Sequence, residues 1–426
     1  MSHKLALFGG PKVRRDPFPP HPVLGAEEKR AVLEVVESGH LSTFIASPGE
    51  FFYGGEKIRR FEREFAEYHG VNFAVAFNSA TAALHAAVAA VGVQAGEEVI
   101  VTPYTFTSTA TCALMHNAIP VFADIEAETC CLDARSLEAN LSPLTRAVIP
   151  VHLFGHPADL DAILAVARKH NLRVIEDCAQ SPGARYQGKL VGTLGDCGVF
   201  SFTENKNITT GEGGMLITDD PAIAQAAAMV RNHGEMIVES QKERTYNSTL
   251  LGWNYRMTEL EAALGIAQLA KLDRLNAERN QLVRHLVRGM KDMPGLNPLP
   301  VKSGCSHAYY VFAFLYDEAA AGLSRADFAK ALAAEGVPLG VGYVRPLYLT
   351  SLYHENKPSA FQLYKGKARY DKGICPVAER MHERDLLLLG IARPPCTTRD
   401  MDDVLAAMSK VFANRHEFQE ALTARR

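Results

Sequence analysis

The sequence predicts an α/β fold in which a mostly parallel sheet is covered by helices and followed by a smaller α+β domain. Two observations support this prediction. Between residues 57 and 279, segments with a helical spacing of apolar residues alternate with short apolar runs typical of buried strands. This alternation is typical of a parallel sheet with covering helices. After residue 280 the helix and strand patterns follow in a different order, which favours a separate unit.

The elements divide the chain into three predicted parts. Residues 1–56 form an arm and loop region, rich in Pro and Gly, with one helical segment, EEKRAVLEVVESG. Residues 57–279 form the large domain and end in a long helical segment from residue 258 to about 279. Its predicted strands are FAVAF, EEVIVTP, IPVFADI, AVIPVHLF, LRVIED, VFSFT and GMLITD. Residues 280–426 form the small domain, with strand HAYYVFAFLY and helices SRADFAKALAAEG and DMDDVLAAMSKVFANRHEF.

Composition indicates a globular protein and argues against partners that bind by charge alone. The chain has 426 residues, 47% of them hydrophobic and 22% charged, so it can bury a sizeable core. The net charge of −3 and the dispersed Lys and Arg give no attraction to nucleic acid or anionic membranes. No apolar run suits a signal peptide or membrane span, so we expect a cytoplasmic protein. The eight cysteines lack C-x-x-C or other metal spacing, so we expect no metal site.

Polar side chains cluster at the predicted strand ends between residues 174 and 214. The strand LRVIED ends on Asp177, and CGVFSF ends on Ser201 shortly before Lys206 and a glycine turn, GEGG. Taken singly these residues are weak signals, because aspartates often cap turns and most lysines are solvated. Open α/β sheets, however, bind ligands at strand ends. A carboxylate for a ring nitrogen, a hydroxyl for a phosphate and an amine for a Schiff base together predict pyridoxal 5′-phosphate.

Several motifs resemble one family closely. The segments SFTENKNITTGEGG, EDCAQSPGARYQGKLVGTLGD, FNSATAALHAA and GWNYRMTELEAALG are similar to those of the DegT/DnrJ/EryC1/StrS aminotransferases. The resemblance covers residues 61–272, and CPVAE at residues 375–379 fits the family's C-terminal part. It implies the pyridoxal phosphate-dependent transferase fold type I, which is aspartate aminotransferase-like. It also implies amino transfer from L-glutamate or L-glutamine to a keto sugar or cyclitol, by a homodimer with shared active sites.

The resemblance assigns roles around the cofactor ring. Lys206 is expected to form the Schiff base and, once released, to move a proton from the donor's α-carbon as a general base. Asp177 is expected beside the pyridine nitrogen, where its charge keeps that nitrogen protonated. Gln180 occupies the position that bonds the ring hydroxyl, and Phe106 the position that stacks on the ring. A solvated glutamine and a core phenylalanine are the alternatives.

The resemblance and the sequence pattern together place the phosphate. Ala80 and Thr81 lie where a predicted strand turns into a helix, so backbone N–H groups and the helix dipole point at the anion. The hydroxyls of Thr81 and Ser201 are expected to add donors; a plain helix cap is the alternative. Asn254 matches the asparagine that reaches the phosphate from the neighbouring subunit. Arg256, in the same motif, either meets substrate or forms a buried structural pair.

The keto acceptor is the least determined part of the prediction. The opening LALFGGPKVRRDPFP is more similar to the cyclitol and aminobenzoate branches of the family than to its minimal nucleotide-sugar enzymes. Residues 41–56 are longer than the usual family loop, and residues 340–370 depart from its patterns. His152, Tyr343 and Arg345 are candidates for the acceptor wall. His152 is equally well explained as a satisfied core histidine.

Other functions fit the sequence less well. Family members that dehydrate replace the lysine by histidine, so Lys206 favours transamination, although an aminobenzoate-type synthase stays open. A non-catalytic regulator that binds the cofactor would have no need for Lys206. A nicotinamide oxidoreductase would carry G-x-G-x-x-G after the first strand, where this chain has FNSATAAL.

Overall fold

The structure is a computed structural model that describes residues 4–46, 50–235, 247–355 and 358–418. Residues 47–49, in the loop predicted at residues 41–56, lie outside the described residues. So do residues 356–357, in the segment 340–370 that departs from the family's patterns. The strands are β1 (Phe73–Phe77), β2 (Glu98–Val101), β3 (Ile119–Phe122), β4 (Thr145–Ile149), β5 (Arg173–Asp177), β6 (Arg185–Tyr186), β7 (Lys189–Leu190), β8 (Cys197–Ser201), β9 (Gly214–Thr218), β10 (Leu296–Pro298), β11 (Cys305–Ser306), β12 (Phe312–Tyr316), β13 (Gly340–Val341) and β14 (Leu386–Leu389).

Helices surround these strands. The α-helices are α1 (Ala26–Ser38), α2 (Glu56–His69), α3 (Ala80–Ala90), α4 (Ser108–Met115), α5 (Ala134–Ala139), α6 (Leu160–His170), α7 (Pro221–Arg231), α8 (Glu259–Leu269), α9 (Leu272–Met290), α10 (Glu318–Ala321), α11 (Arg325–Ala334), α12 (Ser351–His354), α13 (Ala360–Leu363), α14 (Pro376–Arg380) and α15 (Thr398–Ala413). Short 3-10 turns are Ala6–Phe8, Glu50–Tyr53, Leu153–Gly155 and Leu347–Leu349, and Met381–Asp385 is a π-helical turn. No helix within these described ranges has the length and apolar character needed to span a bilayer.

The central sheet has seven strands in the order β1-β9-β8-β5-β4-β2-β3. Strands β8, β5, β4, β2 and β3 run parallel, whereas β9 runs antiparallel to both β8 and β1. Every strand predicted for the large domain is present, and the mostly parallel α/β sheet is confirmed. The carboxyl ends of the parallel strands lie together at one edge of the sheet. Asp177 at the end of β5 and Ser201 at the end of β8 therefore lie at this same edge.

Helix α3 is buried over residues 82–88, and its composition explains how it fits. It packs on β8 and β9 of the sheet and on the helices α4 and α7. Its sequence, ATAALHAAVAA, consists largely of alanine, so it can approach the sheet closely while keeping high helix propensity. The helix starts at an N-cap: the Ser79 side chain accepts a hydrogen bond from the Ala82 amide at 3.1 Å. This fixes where the helix N-terminus opens onto the sheet edge.

The helical segment near residue 270 differs from the prediction. The sequence predicts one helix from residue 258 to about 279, whereas the structure contains α8 and α9, and α9 continues to Met290. At the junction the Lys271 amide donates to the carbonyl of Gln268, three residues earlier, at 3.0 Å, so the α-helical hydrogen bonding is interrupted there. The Lys271 ammonium bonds both carboxylate oxygens of Glu28 on α1, at 2.7 and 2.9 Å. No Gly or Pro marks this break, so the sequence pattern did not reveal it.

A second hydrophobic core belongs to the C-terminal part. Its antiparallel sheet has the order β10-β12-β14-β13 and packs with α9, α11 and α15. Leu272 and Leu275 of α9 pack in a core of the large sheet, whereas Leu282 and Leu286 pack in the C-terminal core. On this ground we propose the domain boundaries near residues 56 and 279. The N-terminal arm returns to the C-terminal core, where Leu5 is buried.

Candidate active site

A cavity of about 310 Å³ opens at the carboxyl edge of the central sheet. The ends of β5 and β8, the first turn of α3 and the loop before α4 form most of its wall. The structure brings these predicted residues together there: Ala80, Thr81, Phe106, Asp177, Gln180, Ser201 and Lys206. Tyr310 and Tyr343, from the C-terminal part of the chain, complete the lining.

Lys206 lies in the turn that follows β8. Its Nζ atom is 4.4 Å from the centre of the Tyr310 ring, over the ring face. Burial lowers the pKa of Lys206 to about 8, and the charge of Asp177 opposes this shift. An amine with this pKa is partly neutral near neutral pH, which a nucleophile or a proton acceptor requires.

Asp177 is a buried carboxylate held by neutral donors. Thr109 Oγ1 donates to Oδ2 at 2.8 Å, and the Ala179 amide donates to Oδ1 at 3.1 Å. Burial raises the pKa of Asp177, while these hydrogen bonds and the charge of Lys206 work in the opposite direction. No cation among the described residues bonds this carboxylate directly, so it is suited to a cationic ligand atom, such as a protonated ring nitrogen.

Gln180 is fixed at both ends of its side-chain amide. Its Oε1 accepts from the Phe154 amide at 2.8 Å, and its Nε2 donates to the Tyr343 hydroxyl at 2.9 Å. The backbone of Tyr343 in turn donates to the Tyr104 hydroxyl at 2.9 Å. Through these hydrogen bonds, Tyr343 connects the segment after β13 to the part of the cavity that the strand ends form.

The N-terminus of α3 and the end of β8 form one end of the cavity. Ser201 pairs with Gly214, the first residue of β9. A Cβ atom on Gly214 would lie 2.5 Å from the backbone nitrogen of Ala80, so a side chain does not fit there. Glycine thus allows β9 to reach the helix N-terminus, where the amides of Ala80 and Thr81 have no partner within their own helix.

A profile of the "DegT/DnrJ/EryC1/StrS aminotransferase family" matches residues 26–409. The chain belongs to this family. The match to the family thus covers nearly the whole chain, including the C-terminal part, where the sequence motifs are sparser.

Individual family members support this assignment. L-glutamine:2-deoxy-scyllo-inosose aminotransferase from Streptoalloteichus tenebrarius is 36% identical over 431 residues, covering 97% of this chain and 99% of the relative. GDP-perosamine synthase from Caulobacter vibrioides is 44% identical over 262 residues, 62% of this chain and 67% of the relative. The crystal structure of an aminotransferase from Psychrobacter cryohalolentis has a TM-score of 0.83 at 31% identity, covering 94% of this chain and 100% of that one.

A further solved structure bears on the cofactor. DesV from S. venezuelae, in complex with a ketimine intermediate, has a TM-score of 0.77 at 29% identity, covering 92% of this chain and 99% of that one. The fold type, the enzyme class and the cofactor predicted from the sequence are confirmed: the protein is an aminotransferase that depends on pyridoxal 5′-phosphate. These findings set aside the oxidoreductase and the non-catalytic regulator.

Two residues of the family motif after residue 250 lie away from the cavity of their own chain. Asn254 is exposed and forms an isolated bridge with Asn232. Arg256 Nε donates to the side-chain oxygen of Asn232 at 2.9 Å, and its guanidinium lies 5.8 Å from the Phe44 ring centre. Among the described residues, Arg256 therefore makes a structural hydrogen bond, and it neither pairs with an acid nor lines this cavity.

His152 does not belong to the cavity wall, and this candidate was wrong. Its Nε2 atom lies 3.0 Å from Oε2 of Glu176, and its Nδ1 atom accepts from the Ala158 amide at 2.9 Å. Its alternative interpretation, a satisfied core histidine, is confirmed. Arg345 is exposed and does not line the cavity either, whereas Tyr343 does.

Two of the buried polar groups beneath Asp177, His152 and Glu176, are hydrogen-bonded to each other and to the surrounding backbone. His152, Glu176 and Cys178 bring potential ligand atoms within 4.8 Å, the spacing of a metal site. Glu176, however, already accepts from the amides of residues 192, 194 and 195, each at 2.7 Å. Both nitrogens of His152 are bonded as well. We therefore interpret this group as a brace beneath the end of β5.

Sequence analysis missed two residues that shape the site. Tyr310 was assigned to a strand, but β12 begins only at Phe312, and the preceding Tyr309 has a left-handed φ of 45°. No local pattern marks that turn. Thr109, in the first turn of α4, was overlooked; its hydroxyl lies 3.1 Å from that of Thr105, which lies in the loop before this helix.

Proposed function

We propose that this aminotransferase moves an amino group from L-glutamine or L-glutamate to the keto group of a sugar or cyclitol, in the biosynthesis of an amino sugar, an antibiotic or a surface polysaccharide. The observation that carries the proposal is that the Lys206 amine and the Asp177 carboxylate line one cavity. The relative that aminates 2-deoxy-scyllo-inosose matches along nearly its entire length, which supports a cyclitol or sugar ketone.

Lys206 and Asp177 are proposed as the catalytic residues. Pyridoxal phosphate supplies an electron sink for the bond broken at the donor's α-carbon when it is bound. The lowered pKa of Lys206, about 8, lets its Nζ atom act as a nucleophile and then carry a proton. The Asp177 carboxylate provides the negative charge that stabilises a protonated ring nitrogen.

The remaining predicted residues are proposed to hold the cofactor. The amides of Ala80 and Thr81, with the hydroxyls of Thr81 and Ser201, suit the phosphate. Gln180 is proposed to meet the ring hydroxyl. Phe106 is 60% exposed although it lines the cavity, so its ring is available to stack on a planar ligand.

The protein is proposed to form a homodimer with shared active sites. In this dimer, Asn254 of one subunit reaches the cavity of the other subunit. Asn254 is exposed, and its flanking residues Trp253 and Tyr255 stack in parallel with ring centres 5.8 Å apart. Trp253 also packs edge-on against His85 of α3, at 4.5 Å. The rings on either side of Asn254 are thus held by contacts within their own subunit, while Asn254 itself is exposed. This arrangement supports the proposal that Asn254 contacts a second copy of the chain.

The decisive experiment follows the visible absorbance of the protein loaded with pyridoxal phosphate. L-glutamine and L-glutamate are titrated separately, and borohydride reduction followed by peptide mass spectrometry locates the attached cofactor. We expect one donor to bleach the absorbance of the bound cofactor, and the modified peptide to carry Lys206. Lys206→Ala should abolish both signals, whereas Lys189→Ala, which removes an exposed lysine, should retain them.

The acceptor is then identified with the same preparation. Inososes and nucleotide-linked keto sugars are supplied with the preferred donor, and aminated products are measured by mass spectrometry. An aminated inosose or keto sugar would support the proposal. Attachment of the cofactor to a residue other than Lys206, or a donor response that survives in Lys206→Ala, would refute the assigned roles.

A further inference from the structure

Amino transfer by the proposed route moves protons at two positions. The Lys206 amine is proposed to move the proton at the donor's α-carbon. Protons also pass between oxygen and nitrogen, when water adds to release the keto acid and when water leaves on capture of the keto acceptor. One amine cannot serve the carbon and the oxygen at the same moment. A second acid–base group beside it would therefore speed the exchange of water.

Few side chains of the cavity could supply that group. The ionisable side chains that line it, among the described residues, are Lys206, Asp177, Glu212, Tyr310 and Tyr343. Asp177 is bonded by two donors and is proposed to serve the ring nitrogen. The hydroxyl of Tyr343 accepts from the amide of Gln180. Glu212 is exposed and lies in the glycine turn before β9, at the end of the cavity proposed for the phosphate.

Tyr310 is in direct contact with the lysine. Nζ of Lys206 lies over the ring face, 4.4 Å from the ring centre. The phenol oxygen is attached to this same ring, so it lies in the immediate neighbourhood of the amine. Its hydroxyl has no hydrogen-bond partner among the described residues. Both its proton and its lone pairs are therefore available to a ligand in the cavity.

Two guanidiniums act on the phenol. Arg279, on α9, is 1% exposed, and its Nη1 atom donates to the carbonyl of Tyr309 at 3.2 Å. Arg393, in the loop after β14, donates through Nη1 to the carbonyl of Asn205 at 3.4 Å. Burial raises the pKa of Tyr310, and the charges of Arg393 and Arg279 oppose that shift. A buried phenol with cations nearby gives up its proton more readily than one buried alone.

The N-terminal arm holds the loop of Arg393 against the lysine. Nε2 of His21 lies 3.0 Å from the carbonyl oxygen of Lys206, and Nδ1 lies 3.2 Å from that of Pro394, the residue after Arg393. The backbone of the lysine and the loop that carries one of the two charges are thus joined through a single side chain. The surroundings of the phenol are fixed before a substrate enters, as acid–base catalysis requires.

We propose that Tyr310 is the acid–base group for the carbonyl oxygen of both substrates, while Lys206 serves the carbon. This inference rests on the proposed function, because a carbonyl oxygen is exchanged for nitrogen only in amino transfer. On release of the keto acid, the phenol twice gives a proton to the nitrogen and takes one from the oxygen of the added water. The carbon–nitrogen bond breaks, both water hydrogens finish on the nitrogen, and the phenol ends protonated. Capture of the keto acceptor reverses these transfers.

The first test uses the cofactor-free protein and pyridoxal phosphate alone. Capture of this aldehyde by Lys206 also expels the aldehyde oxygen as water, so it includes the same transfers. We expect Tyr310→Phe to slow capture about tenfold or more, because a positioned acid–base group is lost. The pH midpoint of capture should stay nearly unchanged, since the ring face is kept. Tyr309→Phe is the matched control: it removes the adjacent phenol, which does not line the cavity, and should leave the rate unchanged.

The second test separates the two proton transfers in the loaded protein. Bleaching of the cofactor by the donor reports the transfer at carbon, and rapid quenching measures the keto acid released. Tyr310→Phe should leave the bleaching rate within about twofold and should slow release of the keto acid about a hundredfold. A variant with a generally disturbed cavity would slow both steps together.

Chemical rescue distinguishes a proton carrier from a filler of space. Tyr310→Gly removes the whole ring, and phenol or toluene is then added to the loaded variant. The two molecules are similar in size, but only phenol carries an exchangeable proton. We expect phenol to restore release of the keto acid and toluene to leave it slow. Equal restoration by both would show that Tyr310 acts only through packing, and would overturn the inference.

The remaining outcomes separate this inference from the proposed function. Bleaching and release that slow equally in Tyr310→Phe, or a split found in Glu212→Gln instead, would refute the role of Tyr310. If no donor bleaches the cofactor but Tyr310→Phe still slows its capture, the proposed function fails while the acid–base role remains. If donors react and Tyr310→Phe alters neither capture nor release, only the present inference fails.

Discussion

Gly214 and Ala80 are in direct backbone contact: a Cβ atom on the glycine would lie 2.5 Å from the Ala80 nitrogen. It would also lie 2.5 Å from the carbonyl oxygen of Ser79. Backbone atoms cannot move aside as a flexible side chain can. The start of β9 therefore fixes the position of the N-terminus of α3. These two elements form the part of the cavity proposed for the phosphate.

Gly214→Ala should weaken cofactor binding because it pushes the first turn of α3 away from β9. We expect about a tenfold loss of pyridoxal phosphate affinity and a loss of about 1–3 kcal/mol in the free energy of unfolding. Equilibrium dialysis and urea denaturation measure the two effects. Gly390→Ala is the control, because a Cβ atom there has nothing within 4 Å. Equal behaviour of the two variants would contradict the argument.

Thr109→Val should change the pH dependence of the donor half-reaction. The Thr109 hydroxyl donates to Asp177 at 2.8 Å and lowers a pKa that burial raises. Its removal raises the pKa of Asp177 further, so the carboxylate becomes protonated at a higher pH. The acidic limb of the kcat/KM profile should therefore move to higher pH.

The control for that shift lies on the same helix. Thr111→Val removes a hydroxyl that donates only to the Thr107 carbonyl, at 3.1 Å. Its pH profile should match that of the unaltered enzyme. An acidic limb that stays in place in Thr109→Val would show that Asp177 does not govern it.

Tyr310→Leu should lower the pKa of Lys206 below about 8 in the cofactor-free protein. The Tyr310 ring face lies 4.4 Å from Nζ and stabilises its charged form, by about 0.5–1 kcal/mol for such a pair, or less than about one pH unit. The rate of cofactor capture depends on the neutral amine, so its pH midpoint should fall. Tyr310→Phe keeps the ring face and should leave the midpoint nearly unchanged. A similar shift in both variants would assign the effect to the hydroxyl.

His21→Gln should alter stability in a pH-dependent way. The folded-state pKa of His21 is lowered to about 4, whereas an unfolded histidine titrates near 6.5. Between these values the unfolded chain binds more protons, so this group makes the folded state less stable as pH falls from about 6.5 towards 4. Glutamine does not titrate. The variant should be less stable at pH 7, through its lost contacts, and the deficit should shrink at pH 5 in urea denaturation. A constant deficit would contradict the lowered pKa.

Residues at the strand ends could be predicted from the sequence because local pattern determines them. A buried apolar run that ends in Asp177 or Ser201 specifies both the strand and the edge that carries the side chain. Tyr310 reaches the lysine, and Arg393 reaches the carbonyl of the preceding Asn205, only through the packing of the C-terminal part on the large sheet, which no local pattern encodes. His152 was misplaced for a related reason: its partner Glu176 faces away from the cavity, although it neighbours Asp177 in sequence.

The contacts of His21 with Lys206 and Pro394 also bear on the order in which the site assembles. During synthesis, the strand ends that carry Asp177 and Ser201 emerge well before the loop with Pro394. Contacts between such distant parts of a chain form only after a large loss of chain entropy. The surroundings of the lysine are thus complete only when both ends of the chain have docked on the large sheet.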